Sequence, residues 1–395
     1  MLSEQSATTV RATLPAVGAS LGEITERFYA GLFAAHPELL RDLFNRGNQA
    51  AGTQRQALAG SIAAFATHLL AHPDRRPDAL LGRIAHKHAS LGVTPEQYAV
   101  VHEHLFAAIV DVLGEAVTPE VAAAWDEVYW LMANALIAIE KRLYEEAREP
   151  GRRDWEVVER VTETADVVTF RLRPVDGGPV PGFRAGQYVS VQVELPDGAR
   201  QIRQYSLSGA PDATLRQISV KRVRDDAGPE GEVSNHLHAR VEVGSVLPLS
   251  APYGDLALDD AAGTPLLLAS AGIGVTPMIS MLAQLAEAGH PAPVTVVHGD
   301  RSPADHALRD DHEAYAAKLP DASVHFWYEE NATGAGRPGL VDLTGVAVAS
   351  GTRAYLCGPL PFMRAVRTQL IEKGVAPADI HYEVFGPDLW QAQEG

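Results

Sequence analysis

Apolar residues in the first third of the chain recur every three or four positions. Val10, Leu14, Val17 and Leu21 form one such series, and Ile24, Phe28, Leu32 and Phe33 continue it. That spacing lays a single stripe along a helix. The series is interrupted at His36-Pro37, Arg46-Gly47-Asn48, His72-Pro73, Gly92-Val93-Thr94-Pro95 and Val117-Thr118-Pro119, where proline and glycine stop helices. Thr94-Pro95-Glu96 and Thr118-Pro119-Glu120 read as helix starts, with Thr as N-cap and Pro in the first turn. Residues 1–144 are therefore expected to be all-α. Residues 145–154, charged and broken by Pro150-Gly151, read as a linker. From Trp155 the period changes to two, in Val167–Leu172, Gln187–Val193 and Gln217–Lys221, with Gly, Pro and Asp between. Residues 155–260 are thus expected to form a small antiparallel β-barrel. In residues 261–395 strands (Pro265–Ser270, Pro293–His298, Ser323–Tyr328, Arg353–Cys357) alternate with helices (Met278–Ala288, near Asp305–Lys318, Pro361–Glu372). Such alternation predicts an α/β domain with a parallel sheet.

Charge and composition remove several function classes. Of 395 residues, 33 are Lys or Arg and 50 are Asp or Glu, a net charge of −17. That field repels nucleic-acid phosphates and anionic lipid, so small molecules are the expected partners, with neither nucleic acid nor stable membrane association. One cysteine, Cys357, excludes an intrachain disulfide and a cysteine-ligated cluster. Redox chemistry in this chain requires an organic or haem cofactor. The N-terminus has no basic start followed by an apolar core, and no run approaches the ~20 apolar residues of a membrane span. A cytoplasmic monomer is expected.

The turn Gly272-Ile273-Gly274-Val275-Thr276-Pro277 follows a buried strand and opens a helix, where glycines and free N–H groups suit a pyrophosphate. Taken alone it fits a plain strand-to-helix turn equally well. Two further features accompany it: Arg203-Gln204-Tyr205-Ser206 at the end of a strand, and Cys357-Gly358-Pro359 after another. In order and type these residues resemble the ferredoxin-reductase-like pair of flavin and pyridine-nucleotide domains, over residues 155 to 395. The resemblance implies that Arg203 neutralises the FAD diphosphate, that Tyr205 lies along the flavin ring with Gln204 beside it, and that Ser206 bonds the reactive ring nitrogen. It implies that Tyr188 adds an aromatic contact and that the helix start at Val233-Ser234 receives the pyrophosphate. Glu383-Val384-Phe385-Gly386-Pro387 matches the C-terminal strand that closes over the flavin, with Phe385 stacked on the ring and Glu383 tuning its potential. Gly272 to Pro277 and Cys357-Gly358-Pro359 would hold NAD(P)H. Cys357 fits a buried apolar position as well as a nicotinamide contact. Arg301 fits either an adenosine 2′-phosphate or plain solvent, with NADH the expected donor.

In the helical third Tyr29, Phe44, Gln54, Leu58, His88, Tyr98 and Glu140 stand in globin order, and Ile84–Tyr98 is the most specific stretch. The whole chain resembles a flavohaemoglobin. The resemblance implies an all-α globin domain, with haem b, FAD and NAD(P)H as cofactors and His88 as proximal iron ligand. It implies Phe44, Leu58 and Lys87 in the haem pocket, and Tyr29 and Gln54 on the distal side. It implies NAD(P)H-dependent nitric oxide dioxygenation, in which O₂ converts NO to nitrate. His86 and His88 stand two apart and point to different helix faces, so both cannot reach one haem. Glu140 ends the apolar run Leu136-Ile137-Ala138-Ile139, where an unpaired acid is expensive to bury. It fits a carboxylate backing His88 with Tyr98, or a solvated helix edge near Lys141-Arg142. Two rival functions remain open from sequence: an O₂ or NO sensor or store kept ferrous by its reductase, and a flavin reductase with a helical partner-binding domain.

Overall fold

In the computed structural model, which describes residues 1–147, 151–211, 214–224, 230–259, 261–334 and 336–386, the first third is helical throughout. Its helices are α1 (Glu4–Ala35), α2 (Pro37–Asp42), α3 (Arg46–Ala50), α4 (Thr53–Ala71), α5 (Asp78–Leu91), α6 (Pro95–Leu113) and α7 (Pro119–Glu146). Their ends follow local chemistry. Ser3 accepts the Ser6 N–H at the start of α1, and Thr118 accepts the Val121 N–H at the start of α7. Thr94 and Gln97 form a capping box at the start of α6. Gly92, at φ +80°, ends α5 in the left-handed region that glycine enters without penalty. The apolar stripe buries Ile24, Phe28 and Leu32 of α1 with Phe65, Leu81, Leu105, Trp125 and Leu136 in one core.

Seven strands, a helix and their turns make the next segment and lead into the last. They are β1 (Arg152–Thr162), β2 (Val167–Pro174), β3 (Tyr188–Glu194), β4 (Arg200–Ser206), β5 (Arg216–Lys221), α8 (Glu232–Arg240), β6 (Val246–Ser250) and β7 (Leu266–Ala271). The first six strands form a sheet in the order β4-β3-β6-β1-β2-β5, with antiparallel β1·β2, β1·β6, β2·β5 and β3·β6 pairs. An isolated bridge between Leu207 and Ile218 joins its edges, and Trp155, Val157, Phe170, Leu172 and Val191 fill its interior. Beyond β7 come α9 (Val275–Ala288), β8 (Val294–Asp300), α10 (Arg309–Ala316), β9 (Ala322–Tyr328), β10 (Arg337–Pro338), β11 (Arg353–Cys357), α11 (Leu360–Glu372) and β12 (Ile380–Glu383). These strands form a parallel sheet in the order β10-β9-β8-β7-β11-β12. The strand order reverses direction between β7 and β11, so the crevice that receives ligands in open α/β sheets lies at their carboxyl ends.

Several elements differ from the pattern-based expectation. α10 begins at Arg309, because Leu308 sits at φ +55° and breaks the helix read from Asp305. β12 ends at Glu383, so Val384–Gly386 leave the sheet rather than extend the terminal strand, and Gly386 turns at φ +122°. Pro387 lies outside the described residues. By packing, residues 1–151 form one unit with residues 193–202 and Gly386, and residues 152–192 with 203–385 form the other.

Candidate functional site

The helical unit concentrates its polar chemistry around His88 near the end of α5. His88 Nδ1 lies 2.9 Å from Glu140 Oε1 on α7 and 2.9 Å from the Tyr98 hydroxyl on α6. Tyr98 donates to the same carboxylate oxygen at 2.5 Å. Glu140 is 2% exposed, so two donors converge on one buried acceptor, as a buried charge requires. Burial first, and then the Glu140 charge, push the Tyr98 phenol far above its usual range, so it stays a donor. A carboxylate accepts only, which puts the imidazole proton on Nδ1 and leaves the Nε2 lone pair directed away from the network. The His88 side chain is 33% exposed, so the ring backs onto a buried acid and opens on its other side.

Elsewhere in the helical unit Phe33, Phe44, Leu58, Ile62, Leu80 and Ile84 pack on the core yet stay half-buried. A flat apolar prosthetic group is the kind of partner such side chains accept, and His88 Nε2 is the kind of donor that would ligate its iron. Tyr29 is buried in contact with Phe33 and Phe44, at ring-centroid separations of 5.6 and 5.9 Å. Burial pushes its phenol well up, partly offset by the neighbouring amides of Gln54 and Gln49. Gln49 Nε2 is buried and has no hydrogen-bond partner among the described residues. Lys87 Nζ donates to the Gly386 carbonyl at 2.9 Å. Pattern reading passes over Gln49 and Gln201. The Gln201 side-chain amide donates to the carbonyls of Leu40, Arg41 and Phe44, at 3.2, 2.9 and 3.2 Å, and so holds the corner that presents Phe44.

In the second unit the two Gly-containing turns meet. A Cβ on Gly274 would stand 2.2 Å from the Cys357 carbonyl oxygen and 2.8 Å from the Gly358 nitrogen, and one on Gly358 would meet Ala271 at 3.1 Å. The ends of β7 and β11 therefore touch at the point where the strand order reverses. Gly274→Ala is expected to cost roughly 1–3 kcal/mol, since the opposing atoms are backbone. Thermal unfolding measures the effect. Opposite this turn, a Cβ on Gly272 would lie 3.7 Å from Lys221 Nζ at the end of β5, which sets a cation beside the N-terminal end of α9. The barrel contributes Arg203, Gln204, Tyr205 and Ser206 from β4. Gln204 Nε2 donates to Ser190 Oγ at 3.0 Å, and burial pushes the Tyr205 phenol up. Tyr188 of β3 lies against Gly254, where a Cβ would meet its ring at 3.2 Å.

Three family models match in the same order as the folded segments: Globin over residues 26–136, Oxidoreductase FAD-binding domain over 154–258 and Oxidoreductase NAD-binding domain over 268–368. A Flavohemoprotein of Rhizobium meliloti is 43% identical, covering 99% of this chain and 100% of its own. The chain belongs to the flavohemoprotein family. Among solved structures, flavohemoglobin from Malassezia yamatoensis with bound FAD and heme superposes with a TM-score of 0.90 at 39% identity, covering 98% of this chain and 100% of its own. The flavohem-like FAD/NAD-binding domain of nitric oxide dioxygenase from Vibrio cholerae is 36% identical with a TM-score of 0.57, covering 60% of this chain and all of its own.

The flavohemoprotein frame clarifies the remaining candidates. Ser234 Oγ donates to the Gly231 carbonyl and accepts the Val223 N–H, at 3.0 and 3.1 Å, so this hydroxyl shapes the entry to α8. The backbone N–H groups of Val233 and Ser234 lie in the first turn of α8. Thr276 donates to the Ile273 carbonyl at 3.0 Å, and Val275 and Pro277 are buried beside it. The Cys357 side chain is fully buried in the sheet core, and burial, then the Glu383 charge, push its thiol well up. Its register partner on β12 is Glu383. Phe385 is 46% exposed, Val384 and Gly386 are half-buried, and Arg301 is paired with Asp305.

Proposed function

We propose that this flavohemoprotein is an NAD(P)H-dependent nitric oxide dioxygenase that binds haem b, FAD and the nicotinamide donor. FAD would supply the exchange between hydride and single electrons, and haem the metal centre at which O₂ converts NO to nitrate. The observation that carries the reading is the buried Glu140 carboxylate behind His88. A carboxylate-backed imidazole is a stronger donor, which favours O–O bond chemistry over reversible O₂ release. The same acid weighs against the sensor or store reading, and the match to the Globin model and to a flavohemoglobin with bound heme weighs against a helical domain without haem.

The chain's own groups divide the work. His88 would hold the haem iron through Nε2, with Tyr98 and Glu140 fixing its tautomer. Tyr29 keeps its proton and would offer a buried O–H, with Gln54 beside it, to a diatomic substrate. Phe44 and Leu58 exclude water. Arg203 and the N–H groups at Val233-Ser234 balance the FAD diphosphate, Tyr188, Tyr205 and Ser206 set the ring, and the Gly272–Pro277 and Cys357–Pro359 turns orient the nicotinamide. NADH added aerobically with NO is expected to produce one nitrate per NO consumed, with a Soret band in the purified chain. Slow NADH use without stoichiometric nitrate would favour the store. Tyr29→Phe is expected to raise the O₂ dissociation rate by about 10- to 100-fold, the worth of one hydrogen bond to a charged acceptor, measured by flash photolysis.

A further inference from the structure

The parallel sheet holds a second cluster of histidines, unrelated to His88. His298 on β8, His306 in the following loop and His312 on α10 are all buried, at 0%, 4% and 0% exposure. Each has a ring nitrogen within 4.8 Å of a ring nitrogen of the other two. The His298 and His306 rings stack with centroids 4.0 Å apart, and His312 lies 5.5 and 5.4 Å from them. Phe326 closes one wall, 4.7 Å from the His306 ring.

The outer nitrogens are already held. His298 Nδ1 lies 2.8 Å from Ser270 Oγ on β7, and His306 Nδ1 lies 2.8 Å from the Tyr328 hydroxyl on β9. With those nitrogens as donors, the Nε2 lone pairs of both rings are left for the interior. There His306 Nε2 stands 3.1 Å from His312 Nδ1, and His298 Nε2 stands 3.4 Å from Asp300 Oδ2. Asp300 is itself oriented, because its Oδ1 accepts the Arg301 N–H at 2.8 Å. His312 Nε2 is buried with no hydrogen-bond partner among the described residues, a state that costs roughly 1–3 kcal/mol in an ordinary core.

We propose that His298, His306 and His312 form a binding site for a zinc-like divalent cation in the NAD-binding sheet. Three imidazoles are a ligand set that zinc takes, with its fourth position left to an oxygen ligand, and the Ser270 and Tyr328 contacts supply the outer support that orients such ligands. Nitrogens on one tetrahedral zinc stand about 3.3 Å apart, from Zn–N bonds of ~2.0 Å. The His306–His312 pair already stands near that spacing, at 3.1 Å, and the ligand nitrogens of all three rings lie within 4.8 Å of one another. The ion would fasten the loop after β8 and the start of α10 to the sheet, beside the crevice that receives the dinucleotide.

The experiment uses the full chain with its haem and FAD, stripped by chelator, loaded with zinc and passed through gel filtration. One zinc per chain is expected to remain, with X-ray absorption showing three imidazoles and one oxygen at ~2.0 Å. The His306→Gln/His312→Gln variant is expected to lose more than about 100-fold in affinity. A His68→Gln/His72→Gln control, altered at the adjacent histidine pair of the helical unit, is expected to bind as wild type. No retained zinc, equal retention by the sheet variant, or an absorption spectrum with fewer than three imidazoles overturns the site. The spectrum decides on the wild type alone, even where a variant fails to fold.

Discussion

Replacing His88 by alanine is expected to abolish NO consumption while FAD reduction by NADH proceeds at the wild-type rate. The expectation follows from what each nitrogen of that ring does. Nδ1 is committed to a buried carboxylate 2.9 Å away, and Nε2 has nothing to bond among the described residues. Alanine removes that ring, and Glu140 keeps the Tyr98 hydroxyl as a partner. The reductase unit contains none of these residues, so ferricyanide reduction by NADH reports on it independently. A haem drawn into the altered protein would lack the protein's ligand to iron, visible as a shifted Soret band. Free imidazole, small enough to enter the vacated space, should restore the wild-type spectrum. A variant with unchanged spectrum and unchanged NO turnover would place the proximal ligand elsewhere.

Glu140→Gln is expected to lower NO turnover by about 10- to 100-fold without loss of haem, the usual cost of altering a group that orients a metal ligand. The amide preserves shape and still accepts, but hydrogen bonds to a neutral oxygen are about half as strong as those to a carboxylate. Two donors depend on that oxygen, so both weaken together. Tyr98→Phe removes one donor and is expected to cost less. Because Tyr98 donates to the Glu140 carboxylate itself, the double variant should fall short of the product of the single effects. Steady-state NO consumption of the four proteins checks this. Independent, multiplicative effects would separate Tyr98 and Glu140 into unrelated roles.

Local pattern carried much of this architecture and site. The Thr-Pro starts of α6 and α7 and the period-two strands are written in short stretches, because caps, turns and alternating faces act within a few residues. His88 was legible through its flanking residues, and Glu140 through the cost of placing an acid after Leu136–Ile139. Gln49, Gln201 and Lys221 were not, since a polar residue on a helix or strand is ordinarily solvated and only the folded chain shows what it faces. The same holds for His298, His306 and His312, which occupy a strand, a loop and a helix. The end of β12 at Glu383 is not legible in its sequence, because an edge strand has one neighbour to hold it and how far that pairing runs is decided only in the folded sheet.

The hydrogen bonds made by Gln201 also bear on how this chain can be cut. Expressing residues 1–147 alone would strip three carbonyls of their donor, and would take Arg200 from Asp42 and Asp197 from Arg46. A fragment chosen by where the helices stop in sequence would thus carry a frayed corner beside Phe44, and its ligand kinetics would describe a looser pocket than that of the intact polypeptide.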